Sequence, residues 1–409
     1  MTQDPLAGAL SIQNQVVAAP PAKTVAAVYV HFPFCRHRCA YCDFATSAVQ
    51  RIPRARYREL IVRELALRTV EVPSAPIESI FFGGGTPSLW GPEAVGQVLA
   101  AIDAWSPLAQ NCEITLEANP GVLESGDLRG YVAAGINRIS IGVQALDDTR
   151  LKALDRRHDA AAARTTLSEL QTLLQQGLLR SANADLIFGA PGQDLQALRA
   201  DVQGVLDYGL PHLSAYSLTV EPQTPLARQV ARGVQQPPDD GLQADMLAAL
   251  PEWLAPYGVQ RYEVSNYARP RQECRHNLAY WQGNYYLALG VGAHGFLPQA
   301  GAVGRRYGNV AALRPWLDGL TAGRLVEEFQ ESIDAPSHLT ERLLTGLRLD
   351  RGLDLLALQN DLGLPLVQEL LQRVQQHQAL GDHLIYDAKY LRVLPEDLWR
   401  LDSVIASLA

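Results

Sequence analysis

Cysteine, methionine and aromatic residues are scarce in this chain of 409 residues, which has five cysteines, two methionines and 7% Phe, Trp and Tyr. So few cysteines exclude a disulfide-dense secreted scaffold and suit a reducing compartment, the cytoplasm being the expected location. Long apolar runs are missing too. No stretch approaches the eighteen or more apolar residues of a membrane-spanning helix. The first 24 residues hold one basic side chain, Lys23, and no sustained apolar block, a poor fit to a secretory signal, so residues 1–24 are expected to be a disordered tail. Positive charge is in deficit: the formal net charge of −8 argues against nucleic acid as a partner, because phosphate neutralisation needs a basic surface. What is present, 47% hydrophobic and 19% charged residues over a length sufficient for two or three domains, is an ordinary globular composition.

From about residue 26 to 222 one unit repeats: a short β-branched or aromatic run, a turn, then an amphipathic segment of helical period. That pattern predicts a parallel sheet with crossover helices. Six strands are expected, at Ala26–Phe32, Ile77–Phe82, Glu113–Glu117, Arg138–Val143, Ala184–Phe188 and Leu213–Val220. Helical patterns such as Tyr57–Arg68, Ala94–Ala104, Leu167–Gln175, Leu195–Tyr208 and Gln243–Trp253 alternate with them. The expected fold is therefore α/β, a six-unit (β/α) partial TIM-type barrel over residues 25–260, with its chemistry where strands end and loops begin. Residues 261–334 form an aromatic-rich connecting region, with Tyr262, Tyr267, Tyr280, Trp281, Tyr285 and Tyr286 concentrated within it. Residues 335–409 show three amphipathic helical patterns, a hairpin at 384–393 and a last helix, an order that resembles a winged helix. Ten acidic against seven basic residues there disfavour DNA binding and favour a packing or partner module.

Three of the five cysteines, Cys35, Cys39 and Cys42, fall within eight residues. Three soft thiolates so close can hold one metal centre and leave a coordination position open, as an iron–sulfur cluster with an unprotected iron would require. A structural zinc site usually draws on two ligand pairs, and neither Cys112 nor Cys274 has a paired neighbour. A disulfide would leave one of the three thiols over. Downstream, Gly83-Gly84-Gly85-Thr86-Pro87 follows the second strand, where glycine lets backbone amides approach a ligand. It is not a phosphate loop of the Lys-Ser/Thr kind, because no such pair follows. Glu117, Gln144, Arg156 and Asp185 stand at strand ends or just beyond. Each alone reads equally as a helix cap or a loop ion pair. As a set they suit a ligand carrying a carboxylate, an ammonium and ribose hydroxyls.

The C-x3-C-x2-C run resembles the signature of the radical S-adenosylmethionine (SAM) superfamily. With Tyr29, Gly84, Gly85, Thr86, Glu117, Gln144, Arg156 and Asp185 in order, the chain resembles the oxygen-independent coproporphyrinogen III oxidase-like group over roughly residues 26–400. The resemblance implies a [4Fe-4S] cluster on Cys35, Cys39 and Cys42, and SAM held by the residues just named together with His294. Decarboxylating members carry a further cysteine two residues after the third, where this chain has Phe44. The Cys-Asp-Phe ending, with His276-Asn277-Leu278-Ala279-Tyr280-Trp281, looks like the HemW haem-chaperone branch. That branch implies haem as bound cargo, apo-haemoproteins as acceptors, a reductant protein, a SAM-dependent homodimer and transient membrane association through the acceptors. If helical, the motif places His276 and Tyr280 on one face, so a porphyrin could stack on the rings of Tyr280 and Trp281 while His276 approaches its iron, with Asn277 beside it. The other reading of the same residues is that the aromatics pack the barrel rim and His276 bonds to backbone.

Two further functions compete with a haem chaperone. One is a coproporphyrinogen III dehydrogenase acting in porphyrin biosynthesis, against which Phe44 and His276-Asn277 speak. The other is a zinc-bound interaction protein, which requires the glycine run and the polar set to be coincidental.

Overall fold

The computed structural model describes residues 24–70, 72–376 and 383–408, so residues 1–23 of the expected tail lie outside the described residues. All six expected strands form: β1 (Val25–Phe32), β2 (Ser74–Gly84), β3 (Leu108–Ala118), β4 (Arg138–Gln144), β5 (Ser181–Phe188) and β6 (His212–Ser217). They run parallel and in sequence order. β1, β4 and β5 are buried at almost every position, because helices cover one face and side chains fill the barrel interior on the other. Three of the covering helices begin where an aspartate can accept from a free amide of the first turn. Asp159, Asp194 and Asp239 do so at α3 (Ala160–Gln175), α4 (Leu195–Leu206) and α5 (Asp240–Leu254), after α1 (Arg54–Arg68) and α2 (Pro92–Trp105).

The sheet is larger than six strands. It has twelve, in the order β12-β11-β10-β9-β1-β2-β3-β4-β5-β6-β8-β7, where β7 is Gln260–Glu263, β8 Asn266–Ala268, β9 Tyr286–Leu289, β10 His294–Leu297, β11 Gly304–Asn309 and β12 Glu327–Ile333. β9 joins β1 in parallel as a seventh barrel strand, and β10 to β12 extend it as an antiparallel meander. These strands escape a periodicity search because they are short, and because β12, at the outer edge, is exposed at most positions and reads Glu-Glu-Phe-Gln-Glu-Ser-Ile. β6 is shorter than expected: it stops at Ser217, so Leu218 and Thr219 turn out of the sheet and into a cavity.

The motif around His276 is a short helix, α6 (Arg275–Trp281). After α7 (Leu313–Thr321), the C-terminal module begins with α8 (Ala335–Gly346). It continues through a two-residue strand at Leu353–Asp354, α9 (Leu355–Leu362), α10 (Leu364–Gln376) and a hairpin of Leu384–Tyr386 with Tyr390–Val393. This is the winged-helix order, with its own core around Leu343, Leu358, Leu370, Leu391 and Val404. No helix among the described residues is long and apolar enough to cross a membrane.

Candidate functional site

The cysteine loop leaves β1 and is pinned against the glycine run. Gly85 N donates to Phe32 O at 2.7 Å and Thr86 N to Phe34 O at 3.0 Å, while Val49 N closes the loop onto Cys35 O at 3.0 Å. Gly85 is required by space. A Cβ there would lie 2.7 Å from Phe34 O and 3.0 Å from Cys35 Sγ. On the far side His37 clamps the loop: Arg157 donates to its Nδ1 at 3.2 Å, and its Nε2 donates to Asp155 at 2.8 Å.

Cys35, Cys39 and Cys42 all line one cavity of about 440 Å³, together with Gly84, Gly85, Thr86, Glu117, Gln144, Arg156 and Asp185. Ten residues named from the sequence thus converge on one space at the C-terminal ends of the parallel strands. Burial, followed by the charges of the neighbouring thiols, pushes the Cys35 thiol up to about 11, and burial raises Cys42 as well. A bound cation would take the three as thiolates. As soft donors they are the residues that would hold a [4Fe-4S] cluster, beside the glycine edge and polar set that line the same cavity.

The polar set is organised around two buried acids. Glu117 Oε2 accepts from Gly84 N at 3.0 Å, and Asp185 accepts from Ser140 and Asn183. Burial, then the charge of Asp185, pushes Glu117 up to about 8, a rise that the Gly84 amide only partly offsets. Asp185 rises to about 6 by burial, against the hydrogen bonds of Ser214 and Ser140 and the charges of Arg138 and Arg156. The pair suits a cationic ligand group. Arg156 stands opposite, its Nη2 donating to Asn119 Oδ1 at 2.6 Å and to Gly142 O at 3.0 Å, with Nη1 3.5 Å from Cys39 Sγ. Burial works against its charge, yet the Tyr41 phenol and the Cys39 thiol hold its pKa above the ordinary arginine value. Its Nε has no partner among the described residues, leaving a donor for a carboxylate. Gln144 adopts φ of 66°, a left-handed conformation that costs a non-glycine residue about 1–3 kcal/mol and turns its backbone at the cavity wall.

Two residues expected in the SAM set do not line this cavity. Tyr29 is half-buried and borders the two neighbouring cavities instead: a Cβ on Gly83 would lie 2.9 Å from its ring, and its hydroxyl donates to His31 Nδ1 at 3.0 Å. His294, at the start of β10, faces a second cavity that shares only Phe44, Gly84 and Glu117 with the first. Conversely, Asn119, Tyr41 and Tyr216 line the first cavity without having been singled out. Asn119 was within reach, since it follows Glu117 by two residues in Leu-Glu-Ala-Asn-Pro and bridges Thr86 Oγ1 to Arg156.

The haem-motif residues lie elsewhere. His276 and Tyr280 do share a helix face, but the face turns inward. His276 is 1% exposed, its Nδ1 3.0 Å from Ser79 Oγ and its Nε2 2.8 Å from Tyr280 Oη, with the ring stacked on Phe81 at 5.3 Å. Burial holds its pKa at about 3. Its surroundings, Asn277 included, enclose about 180 Å³ of polar barrel interior, too little for a porphyrin. Trp281 is not among the residues lining that space, and its carbonyl accepts from Arg342 of α8 at 3.2 Å. The expectation that His276 meets a haem iron therefore fails on geometry: both nitrogens are committed, and no open face is offered.

The sequence profile of the Radical SAM superfamily matches residues 29–203. The chain is 35% identical to the Radical S-adenosyl methionine domain-containing protein 1, mitochondrial, of Bos taurus, over 95% of this chain and 88% of that one. It is 39% identical to the Heme chaperone HemW of Haemophilus influenzae, over 66% of this chain and 70% of the relative. Against the HemW of Mycobacterium tuberculosis H37Rv the identity is 35%, over 80% and 83%. Among solved structures, the coproporphyrinogen III oxidase HemN of Escherichia coli superposes with a TM-score of 0.79 over 97% of this chain and 92% of its own, at 18% identity, which shows a shared fold. A three-cysteine loop, a glycine-edged cavity with its acid pair and arginine, and this degree of identity over most of the chain lead to one assignment: the chain belongs to the radical SAM superfamily, in the HemW branch of the oxygen-independent coproporphyrinogen III oxidase-like group.

Proposed function

We propose that this protein is a haem carrier, binding a [4Fe-4S] cluster through Cys35, Cys39 and Cys42, SAM in the adjoining cavity, and haem as cargo for delivery to apo-haemoproteins in the cytoplasm. Bound there, cluster and SAM together supply one-electron reducing chemistry, the kind that belongs to cofactors rather than side chains. The chain's own part is to orient and shield. Glu117 and Asp185 pair with the cationic end of SAM, the Arg156 guanidinium with its carboxylate, and the backbone of Gly84 to Thr86 closes over it without side-chain obstruction. A reductant protein, a SAM-dependent homodimer and transient contact with membranes through the acceptors complete the reading.

The observation that carries it is Phe44. It stands where the decarboxylating group has a further cysteine, it is 57% exposed, and it lines both cavities, so an apolar ring replaces a thiol beside the cluster loop. The names of the curated relatives, Heme chaperone HemW, support the same reading. Purified protein should bind haem about one to one, and with reductant and SAM it should leave coproporphyrinogen III unchanged. Stoichiometric formation of protoporphyrinogen would instead make it a dehydrogenase.

His276→Ala separates the structural role of this histidine from the ligand role expected from the motif. The variant should keep the Soret band of the haem complex while losing about 1–3 kcal/mol of stability, because Ser79 and Tyr280 are left with unmade buried hydrogen bonds. Paired spectral and thermal-denaturation measurements decide it; a shifted Soret band with unchanged stability would restore His276 as the ligand.

A further inference from the structure

The second cavity, of about 430 Å³, lies between the barrel edge at β9–β11 and helix α8 of the C-terminal module, and its size falls within the ordinary range of ligand sites. Aromatic rings of Tyr280, Tyr286, Phe296 and Phe44 contribute to its walls. Three polar side chains that face it have binding capacity to spare.

His294 is exposed, and neither of its ring nitrogens has a hydrogen-bond partner among the described residues; its ring is held edge-on to Phe329 at 5.3 Å. An imidazole whose ring nitrogens are unpartnered offers a lone pair to a metal. Arg342 is 4% exposed, takes part in no ion pair among the described residues, and keeps its Nε without a partner while Nη1 donates to Trp281 O. Burial lowers its pKa against the charges of Asp361 and Asp354, and neither acid holds its Nε, which remains a donor for an anion. Arg306 shows the contrast, held in a two-pronged pair by Glu341 at 2.7 and 3.1 Å. His338, 3% exposed, lies flat on Phe296 at 5.9 Å, its Nδ1 3.7 Å from Glu341 Oε2 and beyond hydrogen-bond distance.

A ligand that satisfies these groups together is flat and aromatic, bears a carboxylate, and carries a metal with an open axial position. We propose that this cavity between the barrel and α8 is the haem site, with His294 as the iron ligand and Arg342 paired to a propionate. The assignment rests on the haem-carrier reading and gives it a place. It takes in one ring of the His276 motif, that of Tyr280, and it sets the cargo against Gly84, Glu117 and Phe44, which also border the cluster cavity.

Absorption titration of the full-length protein with haem, and with haem dimethyl ester in which both propionates are blocked, tests it. His294→Ala and Asn284→Trp are both at exposed positions, the first removing the ligand and the second filling the cavity mouth. His294→Ala should shift the Soret band and weaken binding at least about tenfold, and Asn284→Trp should weaken it without changing the axial ligation. The ester should bind wild type roughly ten- to hundredfold more weakly than haem, and Arg342→Gln should abolish that difference. If wild type binds haem while His294→Ala and Asn284→Trp titrate as wild type does, this site is wrong and the haem-carrier reading stands. If wild type binds no haem, both fall.

Discussion

Serine at any one of Cys35, Cys39 or Cys42 should strip anaerobically reconstituted protein of its [4Fe-4S] cluster, whereas Cys112→Ser and Cys274→Ser should retain it in full. The three thiols share a loop that is hydrogen-bonded to β1 and to the glycine run, and all three line one cavity. A hydroxyl in place of one thiolate leaves two soft ligands, too few to hold a cluster whose fourth iron already lacks a protein ligand. The other two cysteines are buried away from the cavity. Cys274 Sγ lies 3.5 Å from Glu113 Oε1 at the opposite end of the strands, and burial raises both thiols to about 12, which keeps them protonated and inert. Iron and sulfide content with the visible absorption spectrum decides the matter. Loss of the cluster in Cys112→Ser or Cys274→Ser, or its survival in Cys39→Ser, would overturn the ligand assignment.

The cluster site was legible because its chemistry is local. Three ligands within eight residues need no tertiary information, and glycine, glutamate and aspartate at strand ends converge once the strands are known to be parallel. Legibility ends where direction depends on packing. The spacing of His276 and Tyr280 correctly puts both on one face of α6, but only the packing of α6 over the barrel end tells that this face looks inward at Ser79 and Phe81. His294 shows the converse. Its glycine-rich setting resembles a segment that closes over SAM, yet the antiparallel turn from β9 to β10 carries it past the cluster cavity to face α8. The strands that make this turn are four residues each, so their hydrophobic pattern is too short to announce them.

Glu117→Gln should stabilise the SAM-free protein at pH 8 while weakening its hold on SAM, two effects of opposite sign from one substitution. Glu117 and Asp185 titrate in the folded protein near 8 and 6, well above ordinary carboxylates, chiefly because both are buried. A raised folded pKa means that, between about pH 4 and 8, the folded chain binds more protons than the unfolded one, so stability without SAM falls as pH rises through this window. Glutamine removes that penalty. A cationic ligand group pairs only with the ionised acids, so SAM must displace their protons, and its affinity should climb with pH by up to about tenfold per unit for each proton released, levelling off above pH 8. In Glu117→Gln the steepest part of that climb should vanish. Thermal denaturation with and without SAM, and the effect of SAM on the electron paramagnetic resonance of the reduced cluster, follow both quantities from pH 6 to 9. Equal loss of SAM affinity at every pH, with no gain in SAM-free stability at pH 8, would show that Glu117 serves only to hold the Gly84 amide and does not meet the ligand's charge.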